Sequence, residues 1–405
     1  MRQLRLAGIF MTAFLMASCG HTALDGPKMA DGGLLFVEDG DRLTAFDPAS
    51  GTSTWSAPDV LMAPGLGRGF RLAPTSGSPR LIALDPTSGG EVAAMGVPNG
   101  LTLRVASSTG RSVALVSGGE SSVYDPVARD HTTIVVAKPD EGTMKRFELK
   151  GNFEPEAFST DDSKLYMIEY VNDDMTRYRV RMMRIHSGDV LPIGRLTKAA
   201  PDIMRGIGRT QVYSPDASVL YTLYTKQPPN TAHRDASDII NKHQVHAFVH
   251  VLNLDEDWAH CIDLPMPFGL DTDPATLLTI SPDGSWLYAG DGRRIAVIDT
   301  YEQAVSNLQK TDEVSGSAKA LVGPDERLYV GDGSKIEIFD GGTLDPIGTF
   351  EVPAGIGALG MSTDGLRLFV GGEHQVFVID SKTGAELTSM RAPGADRILF
   401  TAARD

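Results

Sequence analysis

From residue 33 onward the apolar positions never settle into helical spacing; they come in short runs, each closed by an acidic residue and a turn. The phrase recurs as Leu43-Thr44-Ala45-Phe46-Asp47-Pro48, Leu81-Ile82-Ala83-Leu84-Asp85-Pro86 and Ser122-Val123-Tyr124-Asp125-Pro126. Later copies are Val251-Leu252-Asn253-Leu254-Asp255, Ile295-Ala296-Val297-Ile298-Asp299, Ile336-Glu337-Ile338-Phe339-Asp340 and Val376-Phe377-Val378-Ile379-Asp380. A variant, Met183-Arg184-Ile185-His186, carries histidine in the acidic place. Each run reads as an alternating β-strand. A second phrase lies upstream in the later copies: Ser214-Pro215-Asp216-Ala217, Ser281-Pro282-Asp283-Gly284, Gly323-Pro324-Asp325-Glu326 and Ser362-Thr363-Asp364-Gly365. Proline presets the first central residue of a tight turn, and Asp and Gly suit the remainder. One unit therefore reads as strand a, this turn, strand b, a short turn, strand c ending at Asp, and strand d.

The closing residues fall at positions 47, 85, 125, 186, 255, 299, 340 and 380, a spacing near 40 broken by two longer gaps with irregular polar insertions. A period near 40 with four strands per unit is the mark of a β-propeller blade. The fold class expected is all-β, a single β-propeller, with eight blades favoured and seven as the rival count. The ends fit a ring. Asp396-Arg397-Ile398-Leu399-Phe400-Thr401 reads as a strand a with nothing after it, and Leu34-Leu35-Phe36-Val37 with the run to Asp47 reads as b and c with no a before them. Joined, they make one composite blade. On the S-P-D-G and strand-end phrases the chain resembles the YVTN/TolB/WD40-like propeller repeats over roughly residues 33–405. That resemblance implies architecture and is nearly silent on function.

The first 33 residues differ. Arg2 and Arg5 precede an apolar run over residues 6–16, the length of a signal-peptide core and too short to span a bilayer. Met16-Ala17-Ser18-Cys19 follows, and it resembles a bacterial lipoprotein lipobox, with Met16 where that family usually has Leu. The resemblance implies cleavage before Cys19, acylation of its thiol, and tethering to the cell envelope, facing periplasm or exterior. An ordinary secretory signal and an uncleaved anchor stay open as alternatives. The expected organisation is a leader at 1–18, a flexible tether at 19–32 and the propeller at 33–405.

Composition sharpens this picture. The chain has 405 residues, 41% of them hydrophobic, enough for a large core, while 43 glycines and 24 prolines suit a structure made of turns. Its net charge of −15 argues against nucleic acid as a partner. Removing the leader takes away two arginines and makes the balance −17. Cys19 and Cys261 are the only cysteines, which excludes a disulfide scaffold and any four-cysteine metal site. With Cys19 lipidated, Cys261 reads as a small core residue.

The catalytic signals are thin. His233, His243, His246, His250 and His260 crowd one region. On one strand, however, His246 and His250 would stand roughly 13 Å apart, and a zinc ion needs ligands near ~2 Å. No metal-ligand motif, nucleophile elbow or phosphate loop is present, and no cofactor is implied. Three tryptophans without a repeat argue against the quinoprotein dehydrogenases. A lactonase-like propeller hydrolase would leave no local motif and is not excluded.

The basic residues assigned to strand a are more distinctive: Arg68 and Arg71, Arg104, Arg205 and Arg209, Lys319, and Arg397, with Glu154 and Glu156. Arginines lining the channel of an acidic protein would focus positive potential on an anionic small molecule or acidic peptide. The competing reading pairs them with Glu154 and Glu156 to knit the ring. The insertion at 226–242 is either a partner-docking loop or tolerated length. The sequence thus favours a tethered binding or scaffold module, with a lactonase-type enzyme or a metal-binding lipoprotein using the histidine cluster as alternatives.

Overall fold

The computed structural model describes residues 33–401 apart from 120–126, 173, 196–202, 227–244, 270–275, 312–317 and 393. Eight sheets form eight blades of a β-propeller. Their innermost strands, in blade order, are Arg397–Thr401, Leu61–Met62, Leu101–Ala106, Asn152–Phe158, Ile207–Tyr213, Leu277–Ile280, Lys319–Val322 and Ala358–Met361. The composite blade forms as expected: strand a, Arg397–Thr401, pairs antiparallel with strand b, Leu34–Asp39, placing Leu35 opposite Phe400. The only helical segment among the described residues is the 3₁₀ turn Pro139–Glu141.

The core lies between blades. Along strand b of blade 8 (Arg367–Gly371), Leu368 and Val370 pack toward blade 7, while Phe369 packs toward blade 1. Strands b and c are thus covered on both faces, so they read as continuous apolar runs such as Val376-Phe377-Val378-Ile379 rather than alternating ones. The exposed d strands carry the polar positions. Among the described residues, seven of the eight inter-blade clusters contain nine or more buried apolar residues. The junction of blades 1 and 2 has three, Phe36, Leu43 and Ala45.

The turn phrases act as local clamps. In S-P-D-G turns the Ser281 hydroxyl donates to Asp283 at 2.6 Å and accepts from the Trp286 N–H at 2.9 Å. Ser362 does the same with Asp364 and Arg367. The fourth position is left-handed, with φ +79° at Gly284 and +70° at Gly365, which is why glycine recurs there. The Asp that ends strand c caps the next turn: Asp85 accepts from the Ser88 N–H and Asp340 from the Thr343 N–H, both at 2.8 Å. These bonds hold both carboxyls below the usual aspartate range.

Three expected closing positions shift although the blade count holds. In blade 5 Asn253, not Asp255, ends strand c and caps the turn, accepting from the Asp255 and Glu256 N–H groups. In blade 4 strand c ends at Arg184, so His186 lies beyond it. In blade 3 strand c is His131–Lys138, and Asp125 falls outside the described residues within the b–c connection. At Asp255 an aspartate two residues past the strand end imitates the closing position, and only pairing distinguishes the two.

Antiparallel order sends the a–b and c–d turns to one end of the ring and the b–c and d–a connections to the other. No connection at the first end exceeds six residues. All the longer ones, including that holding residues 226–242, join strand ends at the second end, within blades 3 to 6 or leading out of them.

Candidate functional site

The inner strands of blades 3, 4 and 5 share a feature absent from those of blades 6 to 8: each carries a β-bulge, and the extra residue is charged. The bulges fall at Arg104, Glu156 and Arg209. A bulge re-aims a side chain off the regular pleat; Arg104 and Glu156 bond across to the next blade, while Arg209 bonds within its own.

Arg104 leaves blade 3 and donates from Nε to Glu154 Oε1 of blade 4 at 2.6 Å. The other oxygen of Glu154 receives Arg129, which reaches over from the b–c connection of blade 3 and also donates to Asn152 Oδ1 at 3.1 Å and the Ser117 carbonyl at 2.7 Å. The Glu154 side chain is 1% exposed, so this carboxylate sits between two guanidinium groups and away from water. Arg129 had no strand pattern to mark it, since it stands in an aperiodic connection.

Glu156, two residues on, has no such cation. Its Oε1 accepts from Gln211 Nε2 of blade 5 at 2.9 Å, and Oε2 has no hydrogen-bond partner among the described residues. Burial pushes its pKa up to about 7. Arg209 donates from Nε to Thr225 at 2.7 Å, while its buried Nη2 also lacks a partner among the described residues. Nearby, Tyr178, Tyr224 and Phe248 stack across blades 4 and 5, with Tyr170 edge-on to Tyr178, centroids 5.1–6.1 Å apart. Burial raises the Tyr170 and Tyr178 hydroxyls, and the adjoining glutamates add to it.

The remaining arginines disperse. Blade 2 has a two-residue inner strand, Leu61–Met62, so Arg71 lies on the second strand, Gly69–Ala73, rather than on strand a. Arg68 precedes that strand and pairs with Asp140 of blade 3 at 3.1 Å in a solvent-exposed bridge. Arg205 sits before strand a of blade 5, its carbonyl accepting from the Tyr178 hydroxyl. Arg397 is on an inner strand as expected, with its side chain 62% exposed and 3.7 Å from Glu38. The six arginines therefore do not converge on one point.

Among the histidines, His233 and His243 lie outside the described residues, as does Cys19. His246 stands just before strand c of blade 5 (Phe248–Asn253), and His250 is within it, opposite Thr222 and Cys261 and edge-on to Tyr224 at 6.3 Å. No group of three or more metal-ligating side chains forms among the described residues. Cys261 is buried and its thiol is pushed up by that burial.

Among the described residues, two recesses open at the loop-bearing end, away from blades 4 to 6. One, of about 500 Å³, lies over blades 1, 2 and 3 and contains Arg397, Glu38 and the short strand Leu61–Met62. The other, of about 440 Å³, is lined by glycines together with Asp39, Glu373 and Asp396.

No family model and no curated protein matches the chain. Solved structures resemble it in fold. AztD from Citrobacter koseri is 10% identical with a TM-score of 0.59, over 92% of this chain and 99% of that one. The dihydro-heme d1 dehydrogenase NirN, in complex with DHE, is 14% identical with a TM-score of 0.57, over 93% of this chain and 76% of that one. A structure described as the eukaryotic initiation factor is 13% identical with a TM-score of 0.51, over 91% and 98%. At such identities the likeness concerns the propeller architecture alone.

Proposed function

We propose that this protein is an exported, lipid-anchored propeller that works as a binding module through its loop-bearing end. The observation that carries the reading is the asymmetry of the ring: the strand ends joined by every connection longer than six residues, and the two recesses described, lie at one end. Loops set on a rigid scaffold are where binding residues concentrate. The lipobox-like Met16-Ala17-Ser18-Cys19 supplies the anchor in this reading. Its tether joins the ring at Leu34, which pairs with Thr401 at the opposite, short-turn end. The binding end then has its back to the attachment point and its loops toward soluble partners. A ring of six arginines collecting one anion is not the version favoured, because Arg104 is already turned onto Glu154.

Two measurements test the reading. Radiolabelled palmitate enters the wild-type protein and not Cys19→Ala, and equal labelling of the two refutes the anchor. Single cysteines at Ser76, on the loop-bearing end, and at Lys382, on the short-turn end, are compared for maleimide reactivity in the native envelope and after purification. Shielding of Ser76→Cys alone in the envelope supports the binding end. Equal reactivity of both cysteines in both states refutes a macromolecular partner there.

A further inference from the structure

The recess over blades 1, 2 and 3 has a physical origin. Other inner strands run four to seven residues, but that of blade 2 has two. Asp59 adopts φ +52°, which breaks the strand path just before it, and Pro64, which has no N–H to donate, follows just after it. The missing rungs coincide with the thinnest inter-blade core in the ring, at the junction of blades 1 and 2. The result is a notch with Val60, Leu61, Met62, Leu72 and Leu103 only half-buried around it. A volume of about 500 Å³ falls in the range of small-molecule sites.

The rim above this apolar floor is charged and uneven. Arg397 and Glu38 face each other across paired strands and largely cancel. Arg42 is turned toward Ser56, to which it donates at 3.2 Å. Asp41 and Asp59 are held side by side by a backbone bond from the Asp59 N–H to the Asp41 carbonyl, and neither carboxylate has an ion-pair partner among the described residues.

We infer that this notch is a ligand site for a small amphipathic cation, its apolar body lying on Leu61, Met62 and Leu103 and its ammonium group meeting Asp41 and Asp59. Covering half-buried apolar side chains supplies the affinity, and the two carboxylates set the sign of the head group. The inference rests on reading the loop-bearing end as the binding end, but it does not need the lipid anchor.

The test uses the full chain in lipid nanodiscs and two matched probes, 2-phenylethylammonium and 3-phenylpropanoate, followed by saturation-transfer NMR. The ammonium probe binds saturably and about ten-fold tighter than the carboxylate. Asp41→Asn with Asp59→Asn brings the two probes to within about two-fold. Leu103→Trp fills the notch and removes binding of both; Val60→Trp, in a connection rather than a strand, serves if the first variant does not fold. Equal or tighter binding of the carboxylate, ammonium binding that survives the filling substitution, or no saturable ammonium binding overturns the site. Palmitate labelling is unaffected by any of these outcomes, so failure of the notch and failure of the anchor are read separately.

Discussion

Arg104 and Glu154 meet across the junction of blades 3 and 4, Nε to Oε1 at 2.6 Å, with the glutamate side chain 1% exposed and Arg129 on its second oxygen. Removing Arg104 leaves one oxygen of this buried carboxylate without its partner, while Arg129 still holds the other. Arg104→Ala is expected to destabilise the fold by about 1–3 kcal/mol, read as a lower urea midpoint. A variant as stable as wild type would show that the bridge adds nothing to the ring.

Glu156 makes the opposite prediction. Its folded pKa, about 7, lies above the usual value of 4.5 because the buried carboxyl resists ionisation. Between those two values the folded chain holds a proton that the unfolded chain has released, so this group's contribution falls as pH rises through that window. The full effect is about 3 kcal/mol at most. Glu156→Gln keeps an acceptor for Gln211 and cannot ionise, so its stability advantage over wild type should grow between pH 5 and pH 8. A difference that does not change with pH would place the proton elsewhere.

Cys261 is buried, and its thiol is pushed up by desolvation, so it should be inert in the native protein. Thiol titration is expected to find none reactive when folded and one when denatured. A second thiol on denaturation would show an unmodified Cys19 and overturn the anchor.

Ring closure gives the last prediction. A Cβ on Gly360, in the inner strand of blade 8, would lie 2.4 Å from Ile398 Cγ2 in the terminal strand. That branched side chain has little freedom to move aside. Gly360→Ala should cost about 1–3 kcal/mol by overpacking the closure, and thermal melting should show it. Unchanged melting would mean that the terminal strand slides to make room.

The blade count, the composite blade and the turn chemistry were all legible in the sequence, and for one reason. They depend on residues close in the chain: a serine, an aspartate and a left-handed residue make their own turn, as at Ser281, Asp283 and Gly284. Repetition near every 40 residues then fixes the ring. Where a local phrase imitates another, as at Asp255, the strand end moved without changing the count. The charged residues depend on the neighbouring blade, and that only the tertiary structure decided. Arg104 and Glu154 are 50 residues apart, and a bulge rather than strand periodicity aims the arginine. Arg129 carries no periodic signal at all. The notch exists because rungs are absent from one strand and the adjoining core is thin. Such an absence is defined by packing between blades, so the sequence alone does not display it.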